Sequence, residues 1–360
     1  TVTITGPQLV SLTVVKRDGS TGESLDGAMF ALAAAAGSPV GLTQTGAGRY
    51  TAGGSAAQFT TSGGTAVIEG LTAGSYTLTE VSPPSPGYAA IAPETLQLTA
   101  SATVTIDNVP TEINVTKQDG LTGERLAEMQ FSLLDGKGER VTLTRGADGV
   151  YRPDAQGGAY FVTDENGQAR ILGLPQGSYA IAESAHEGYA ALDASPRFEL
   201  MVRADLTITN EPLTLEITKA DGYTGEGMSG VEFSLRDADG NAVPIRSIAE
   251  GVYYYSASAQ GDALVTGADG KATVHYLPVG VYMLEEETQD GYVQTEPVQV
   301  TVSAGNGLSD PVRVRFVNDP TVLILTKSDA ATREPLDGAT FRLVDETGVG
   351  AQVAILEVGP

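Results

Sequence analysis

Short runs in which every second residue is apolar recur along the whole chain, as at Leu12 and Val14 and again at Val104 and Ile106. Successive side chains of a strand point to opposite faces, so this alternation predicts antiparallel strands with one buried and one solvated face. Gly, Asp and Asn turns such as "DENG", "DADG" and "GADG" separate the runs, and such turns are hairpin signals. No convincing amphipathic helix emerges. The expectation is an all-β chain whose many short strands form sandwiches.

A longer period lies over the short one. An opening motif reads "LTVVKRDGSTGESLDGAMFAL" from Leu12, "INVTKQDGLTGERLAEMQFSL" from Ile113, "LEITKADGYTGEGMSGVEFSL" from Leu215 and "LILTKSDAATREPLDGATFRL" from Leu323. Its lysines fall at 16, 117, 219 and 327. A later motif reads "GLTAGSYTLTEVSPPSPGY", "GLPQGSYAIAESAHEGY" and "YLPVGVYMLEEETQDGY", with glutamates at 80, 183 and 286. Closing strands "ATVTIDNVP", "DLTITNEP" and "VRVRFVNDP" carry asparagines at 108, 210 and 318, and proline then ends each strand. The expected organisation is residues 1–8 as the closing strand of a preceding repeat, full repeats at 9–110, 111–212 and 213–320, and the opening half of a fourth at 321–360. On this reading the chain is a piece cut from a longer array. Only nine residues separate each asparagine from the next lysine, so neighbours should lie end to end with little slack.

Composition narrows the function. The chain of 360 residues is 41% hydrophobic and 18% charged, which suits a folded, turn-rich protein. Its 45 acidic and 21 basic residues give a net charge of -24, which disfavours nucleic acid and anionic membrane surfaces as partners. With no cysteine there is no disulfide framework and no thiolate metal site. A covalent staple would need other chemistry. No run of about 20 apolar residues would span a membrane, and no signal peptide or sorting signal is recognisable.

Parity supplies the chemistry. Residues two apart on a strand share a face, so Lys16 is in phase with Leu12 and Val14, Lys117 with Ile113 and Val115, and Lys219 with Leu215 and Ile217. Glu80, Glu183 and Glu286 are likewise in phase with Leu78, Ile181 and Leu284, as are Asn108, Asn210 and Asn318 with Ile106, Ile208 and Phe316. All nine are expected on the apolar face. An unpaired ion there costs several kcal/mol, and the bland solution is a buried salt bridge completed by the amide, or lysines snorkelling at strand ends. The alternative is reaction. Desolvation lowers a lysine pKa and raises that of a glutamate, so the pair can become neutral amine and carboxylic acid. The amine can then attack the asparagine amide while the acid hydrogen-bonds to its carbonyl and shuttles protons as ammonia leaves. The product amide removes both charges from the core, and folding supplies the effective molarity, with no cofactor.

These motifs resemble the Cna B-type (SpaA-like, prealbumin-related) repeats of Gram-positive surface adhesins and pilins, over roughly residues 9 to 320. The shared pattern is an early V-x-K-x-D-like lysine, a Y-x-L-x-E box ending in G-Y, and a late strand asparagine before proline. The resemblance implies tandem Ig-like or prealbumin-like β-sandwiches arranged end to end. It implies Lys to Asn isopeptide cross-links between Lys16 and Asn108, Lys117 and Asn210, and Lys219 and Asn318, with Glu80, Glu183 and Glu286 as proton shuttles. Lys327 is followed by no Y-x-L-x-E box and no closing asparagine in this chain and is expected to stay unpaired, and Gly6 stands where an acceptor would be.

The function expected from this is a rigid stalk or shaft of a secreted, cell-wall-anchored adhesin or fibre on a bacterial surface, cross-linked once and not a turnover enzyme. Expected partners are the neighbouring repeats, with a host or surface ligand and self-assembly into a fibre left open. The rival reading is an adhesin region binding a host matrix protein or glycan, for which Tyr253, Tyr254 and Tyr255 form a candidate contact patch. His186 and His275 do not recur and are expected as surface or strand residues. The "DADGN" run from Asp237 lacks the downstream glutamate of a calcium loop and is expected to be a hairpin turn, with no metal site.

Overall fold

The alternating runs pair into six sheets, two for each full recurrence of the lysine motif. The structure is a computed structural model that describes residues 8–192 and 194–341. The expected strand before residue 8, with Gly6, and the part of a fourth repeat beyond residue 341 lie outside the described residues.

In the first repeat one sheet runs in the order Leu42–Gly46, Arg49–Ala52, Thr65–Thr72, Leu9–Asp18, Ala102–Asn108. The facing sheet runs Gln58–Thr60, Met29–Ala34, Gly74–Ser82, Glu94–Leu98. The second and third repeats reproduce this order, and the second adds a two-residue strand, Arg140–Val141, beyond the equivalent of Met29–Ala34. A single 3-10 turn, Ala35–Gly37, is the one helical element among the described residues. Each sandwich encloses its own core. Leu12, Phe30, Leu32, Ile68, Leu78 and Ile106 are buried in the first, Ile113, Phe131, Leu133, Ile171, Ile181 and Ile208 in the second, and Leu215, Phe233, Leu284 and Phe316 in the third.

One pairing matters for everything that follows. The opening strand Leu9–Asp18 and the closing strand Ala102–Asn108 are immediate neighbours and run parallel. Two parallel strands cannot be joined by a hairpin, and here the rest of the sandwich forms the connection. The same holds for Glu112–Asp119 with Arg203–Asn210 and for Thr214–Asp221 with Val312–Asn318.

The repeats join through their last loops. The amides of Thr111, Leu213 and Thr321, each just past a closing strand, donate to the carbonyls of Gly87, Gly188 and Gly291. At the second junction the third repeat also reaches back, with Ser309 N and Oγ each donating to Glu211 Oε2 at 2.8 Å and Ala191 N donating to Ala304 O at 2.8 Å.

Residues 321–341 depart from the expected opening half of a repeat. The turn is kept, with Asp329 Oδ1 accepting the amides of Ala331 and Thr332, but no strand forms and Val322, Leu323, Ile324 and Leu325 are exposed. The turn needs only local hydrogen bonds.

Candidate functional site

Strand register decides which side chains can meet. Lys16 pairs in register with Ile106 and Asp18 with Asn108, so Asn108 lies two residues beyond the partner of the lysine, on the same face. Lys117 stands in the same relation to Ile208 and Asn210, and Lys219 to Phe316 and Asn318. A strand spacing of about 4.8 Å and a two-residue rise of about 6.6 Å separate such Cα atoms by roughly 8 Å, a gap that the lysine arm and the asparagine side chain together span. The glutamate arrives from the facing sheet, on Gly74–Ser82, Gly177–Glu183 and Gly280–Glu286. All nine predicted residues therefore come together in three groups of three.

Each group is sealed from water. Lys16, Lys117 and Lys219 are 0% exposed, and Asn108, Asn210 and Asn318 are 0%, 3% and 1% exposed. Glu80 and Glu286 are buried, and the side chain of Glu183 is 6% exposed. An aromatic residue pairs with each glutamate in register: Phe30 with Glu80, Phe131 with Glu183 and Phe233 with Glu286. These rings thicken the apolar wall around the acid.

Asn108 Nδ2 donates to Glu80 Oε2 at 2.8 Å, Asn210 Nδ2 to Glu183 Oε1 at 2.9 Å, and Asn318 Nδ2 to Glu286 Oε1 at 2.6 Å. In the second and third repeats the same carboxylate oxygen also faces the amine: Lys117 Nζ is 3.7 Å from Glu183 Oε1 and Lys219 Nζ is 3.7 Å from Glu286 Oε1. Lys16 Nζ instead donates to the Ile106 carbonyl at 3.0 Å. In each group a carboxylate oxygen lies against the amide nitrogen of the asparagine, the arrangement that suits an ionised acid, which can only accept. Among the described residues, the buried side-chain atoms with no hydrogen-bond partner are Glu80 Oε1 and the Oδ1 atoms of Asn108, Asn210 and Asn318. Leaving a buried acceptor unsatisfied costs about 1–3 kcal/mol, and all four instances fall in these groups.

The electrostatics run in the expected direction. Burial pushes the Lys117 amine down to about 8, against the pull of Glu183. Burial likewise lowers Lys16 and Lys219, opposed by Glu80 and Glu286. The Glu183 carboxyl is pushed up by burial, with Lys117 and Asn210 pulling the other way.

Two further recurrent groups border each site and were not singled out by parity. Asp18, Asp119 and Asp221 follow their lysines by two residues, and Tyr88, Tyr189 and Tyr292 donate hydroxyls to them at 2.6, 2.7 and 2.6 Å. Both were visible as recurrences, in K-x-D and in the terminal G-Y of the glutamate motif. Lys327 is exposed, its Nζ donating to the Ser328 carbonyl.

Several other sequence candidates make structural contacts. Tyr253 is a core strand residue whose hydroxyl donates to Val265 O, as that of Tyr151 does to Val162 O and that of Tyr50 to Thr60 O. His275 is buried on a strand with Nδ1 3.0 Å from Thr214 Oγ1, and His186 is exposed. Asp237 Oδ1 accepts the amides of Asp239 and Asn241 in a hairpin turn. An open groove of about 1200 Å³ crosses the outer face of the second repeat. Among the charges that line it, Arg170 pairs with Glu112 and Arg203 with Asp205.

Comparison with known proteins bears on the whole array. No curated protein matches the chain significantly. Among solved structures, the Bacillus anthracis TIE protein aligns over 86% of this chain and 50% of its own at 23% identity, with a TM-score of 0.33, so this chain spans half the length of that one. A streptococcal ancillary pilin aligns over 87% of this chain and 99% of its own at 19% identity and a TM-score of 0.32. The shaft pilin SpaA from Lactobacillus rhamnosus GG aligns over 60% and 99%, at 18% identity and a TM-score of 0.29. The model of the SpaA prealbumin-like fold domain matches three times in succession, at residues 10–110, 111–212 and 213–312. Together these matches take in most of the chain, which belongs to the SpaA prealbumin-like fold domain family.

Proposed function

We propose that each of the three sandwiches locks itself with an amide between lysine and asparagine, and that the chain serves as a stiff, inextensible stalk of a bacterial surface fibre. The observation that carries this is the shared carboxylate oxygen. Glu183 Oε1 faces both the Lys117 amine at 3.7 Å and the Asn210 amide nitrogen at 2.9 Å. In the reaction, neutral Lys117 Nζ attacks Asn210 Cγ, the Nζ to Cγ bond forms, and the Cγ to Nδ2 bond breaks. Glu183, first protonated by the ammonium of Lys117, gives that proton to the departing nitrogen and takes one from Nζ, so ammonia leaves, the acid ends protonated and no external reagent is consumed. The balance is one amine plus one primary amide giving one secondary amide plus ammonia. Glu80 and Glu286 do the same for Lys16 with Asn108 and for Lys219 with Asn318. The reaction happens once per repeat, so the chain is its own substrate and not a turnover enzyme.

The product suits its surroundings. Two buried ionisable groups become one neutral amide and one neutral acid, which removes the desolvation penalty. The protonated glutamate can then donate to the new amide oxygen, the position now occupied by the unsatisfied Oδ1 atoms.

Mechanical function follows from the parallel pairing. Tension enters along the opening strand and leaves past the closing one. With a bond from Lys16 to Asn108, force crosses at the ends of these adjacent strands, and the residues between them carry none of it. A pilus-type fibre outside a Gram-positive cell, anchored to the wall and built with neighbouring repeats or subunits, is the setting this fits. Tryptic peptide mapping tests the reading. It predicts branched peptides joining the segments around Lys16 and Asn108, Lys117 and Asn210, and Lys219 and Asn318, and recovery of all six segments as linear peptides would refute it.

A further inference from the structure

We propose that an aspartate and a tyrosine form a latch that closes each cross-link site, and that the third repeat supplies part of the latch of the second. This rests on the cross-link reading and adds positioning residues to it. Asp18, Asp119 and Asp221 pair in register with Asn108, Asn210 and Asn318. Oδ1 of each accepts two amides of the turn that follows, as from Leu121 and Thr122 at Asp119. Oδ2 accepts the tyrosine hydroxyl from the loop that follows the glutamate strand.

That loop also holds the reacting groups. In the first repeat Ala89 O accepts from Asn108 Nδ2 at 2.6 Å and Ile91 N donates to Glu80 Oε2 at 3.0 Å. In the third, Thr295 Oγ1 donates to Glu286 Oε2 at 2.9 Å. The residue after each tyrosine donates its amide to the backbone just past the closing asparagine: Ala89 to Val109, Ala190 to Glu211 and Val293 to Asp319. The tyrosine hydroxyl thus fastens to the opening strand a loop that is tied in every repeat to the backbone beside the closing asparagine, and that in the first and third repeats also holds the glutamate directly. Released, the loop would admit water, and a hydrated lysine regains its proton.

The second site carries an extra fastening. Tyr276 of the third repeat donates its hydroxyl to the same Asp119 Oδ2 at 2.9 Å. Tyr276 begins the third copy of the motif that starts with Gly70 and Gly173 in the first two, and it keeps their left-handed backbone, with φ 65° against 75° and 79°. Glycine adopts this region freely and tyrosine does so under strain. The side chain offsets it, with the ring 4.9 Å from that of Tyr254 and 5.6 Å from that of Tyr189. At the first junction Gly173 meets Gly87 backbone to backbone, as Tyr276 meets Gly188 at the second, but it brings no ring or hydroxyl.

Timed cell-free synthesis, with mass spectrometry of proteolytic peptides, gives the rate of ammonia loss at each site. Tyr276→Phe removes the hydroxyl and keeps the ring. It should slow the Lys117 site about tenfold and leave the other two unchanged. The amine limb of the second site's pH profile should also move to higher pH. The charged groups facing Lys117 are Glu183 across the sandwich and Asp119 on its own strand, and an aspartate with one donor fewer holds the lysine proton more tightly. Tyr88→Phe should slow the first site alone. Unchanged rates in both variants, or equal slowing at all three sites, overturns the latch, whereas a parent chain that loses no ammonia at any site overturns the cross-link itself.

Discussion

Lys117 and Asn210 stand 93 residues apart in the chain yet occupy adjacent parallel strands, the asparagine two places beyond the register partner of the lysine, with one oxygen of Glu183 facing both nitrogens. This relation makes the sandwich a reaction vessel. Folding brings amine, acid and amide into a dry space and holds them there, which supplies the orientation that a bimolecular amide exchange in water lacks.

Replacing the acid by its amide should stop the reaction one repeat at a time. In Glu183→Gln the second repeat keeps its ammonia while the first and third lose theirs. By analogy with a disulfide closing a loop of similar length, the unlocked repeat is less stable by about 4 to 5 kcal/mol. Scanning calorimetry should show one repeat melting well below the other two.

The pH dependence of an unlocked second repeat follows from Lys117, whose amine burial lowers from 10.5 to about 8 even against the pull of Glu183, and lowers further once Glu183→Gln removes that pull. Between the lowered folded value and 10.5 the unfolded chain holds a proton that the folded one has released, so stability rises with pH across this window. Above 10.5 the penalty of burying the charge vanishes. Denaturant titrations of Glu183→Gln up to pH 11 should show this rise, and adding Lys117→Met, which carries no charge, should abolish it.

Much of the site was legible without coordinates. Parity alone put Lys16, Glu80 and Asn108 on the apolar face, because two-residue alternation is a local property of the strand. What it did not reveal is that the first and last strands are parallel neighbours, since pairing partners nearly a full repeat apart are chosen by the topology of the whole sandwich. The hydrogen bond from Tyr276 to Asp119 spans 157 positions and two repeats, and nothing local to either residue announces it. The tyrosine in a glycine position was the available sign.

Under tension each locked repeat should refuse to lengthen. Single-molecule pulling on the parent chain should give no unfolding step from the three repeats. Lys16→Ala should restore one step of about 300 Å, from releasing the 92 residues between Lys16 and Asn108 at ~3.3 Å each. Lys327→Ala, at an exposed lysine, should change nothing.

Tyr276→Gly relieves the backbone strain and removes the ring and hydroxyl that join the third repeat to the second. Small-angle scattering should report a wider distribution of end-to-end distances than in the parent, while the three sandwiches keep their circular dichroism. Gly173→Ala, at the first junction, should raise strain without tightening that joint.

The most direct measurement is the intact mass of the purified, denatured chain. The three buried groups predict a value below the sequence mass by three ammonia molecules, rising by one for each of Glu80→Gln, Glu183→Gln and Glu286→Gln once the substitution itself is allowed for. A parent chain at its full sequence mass would contradict the account.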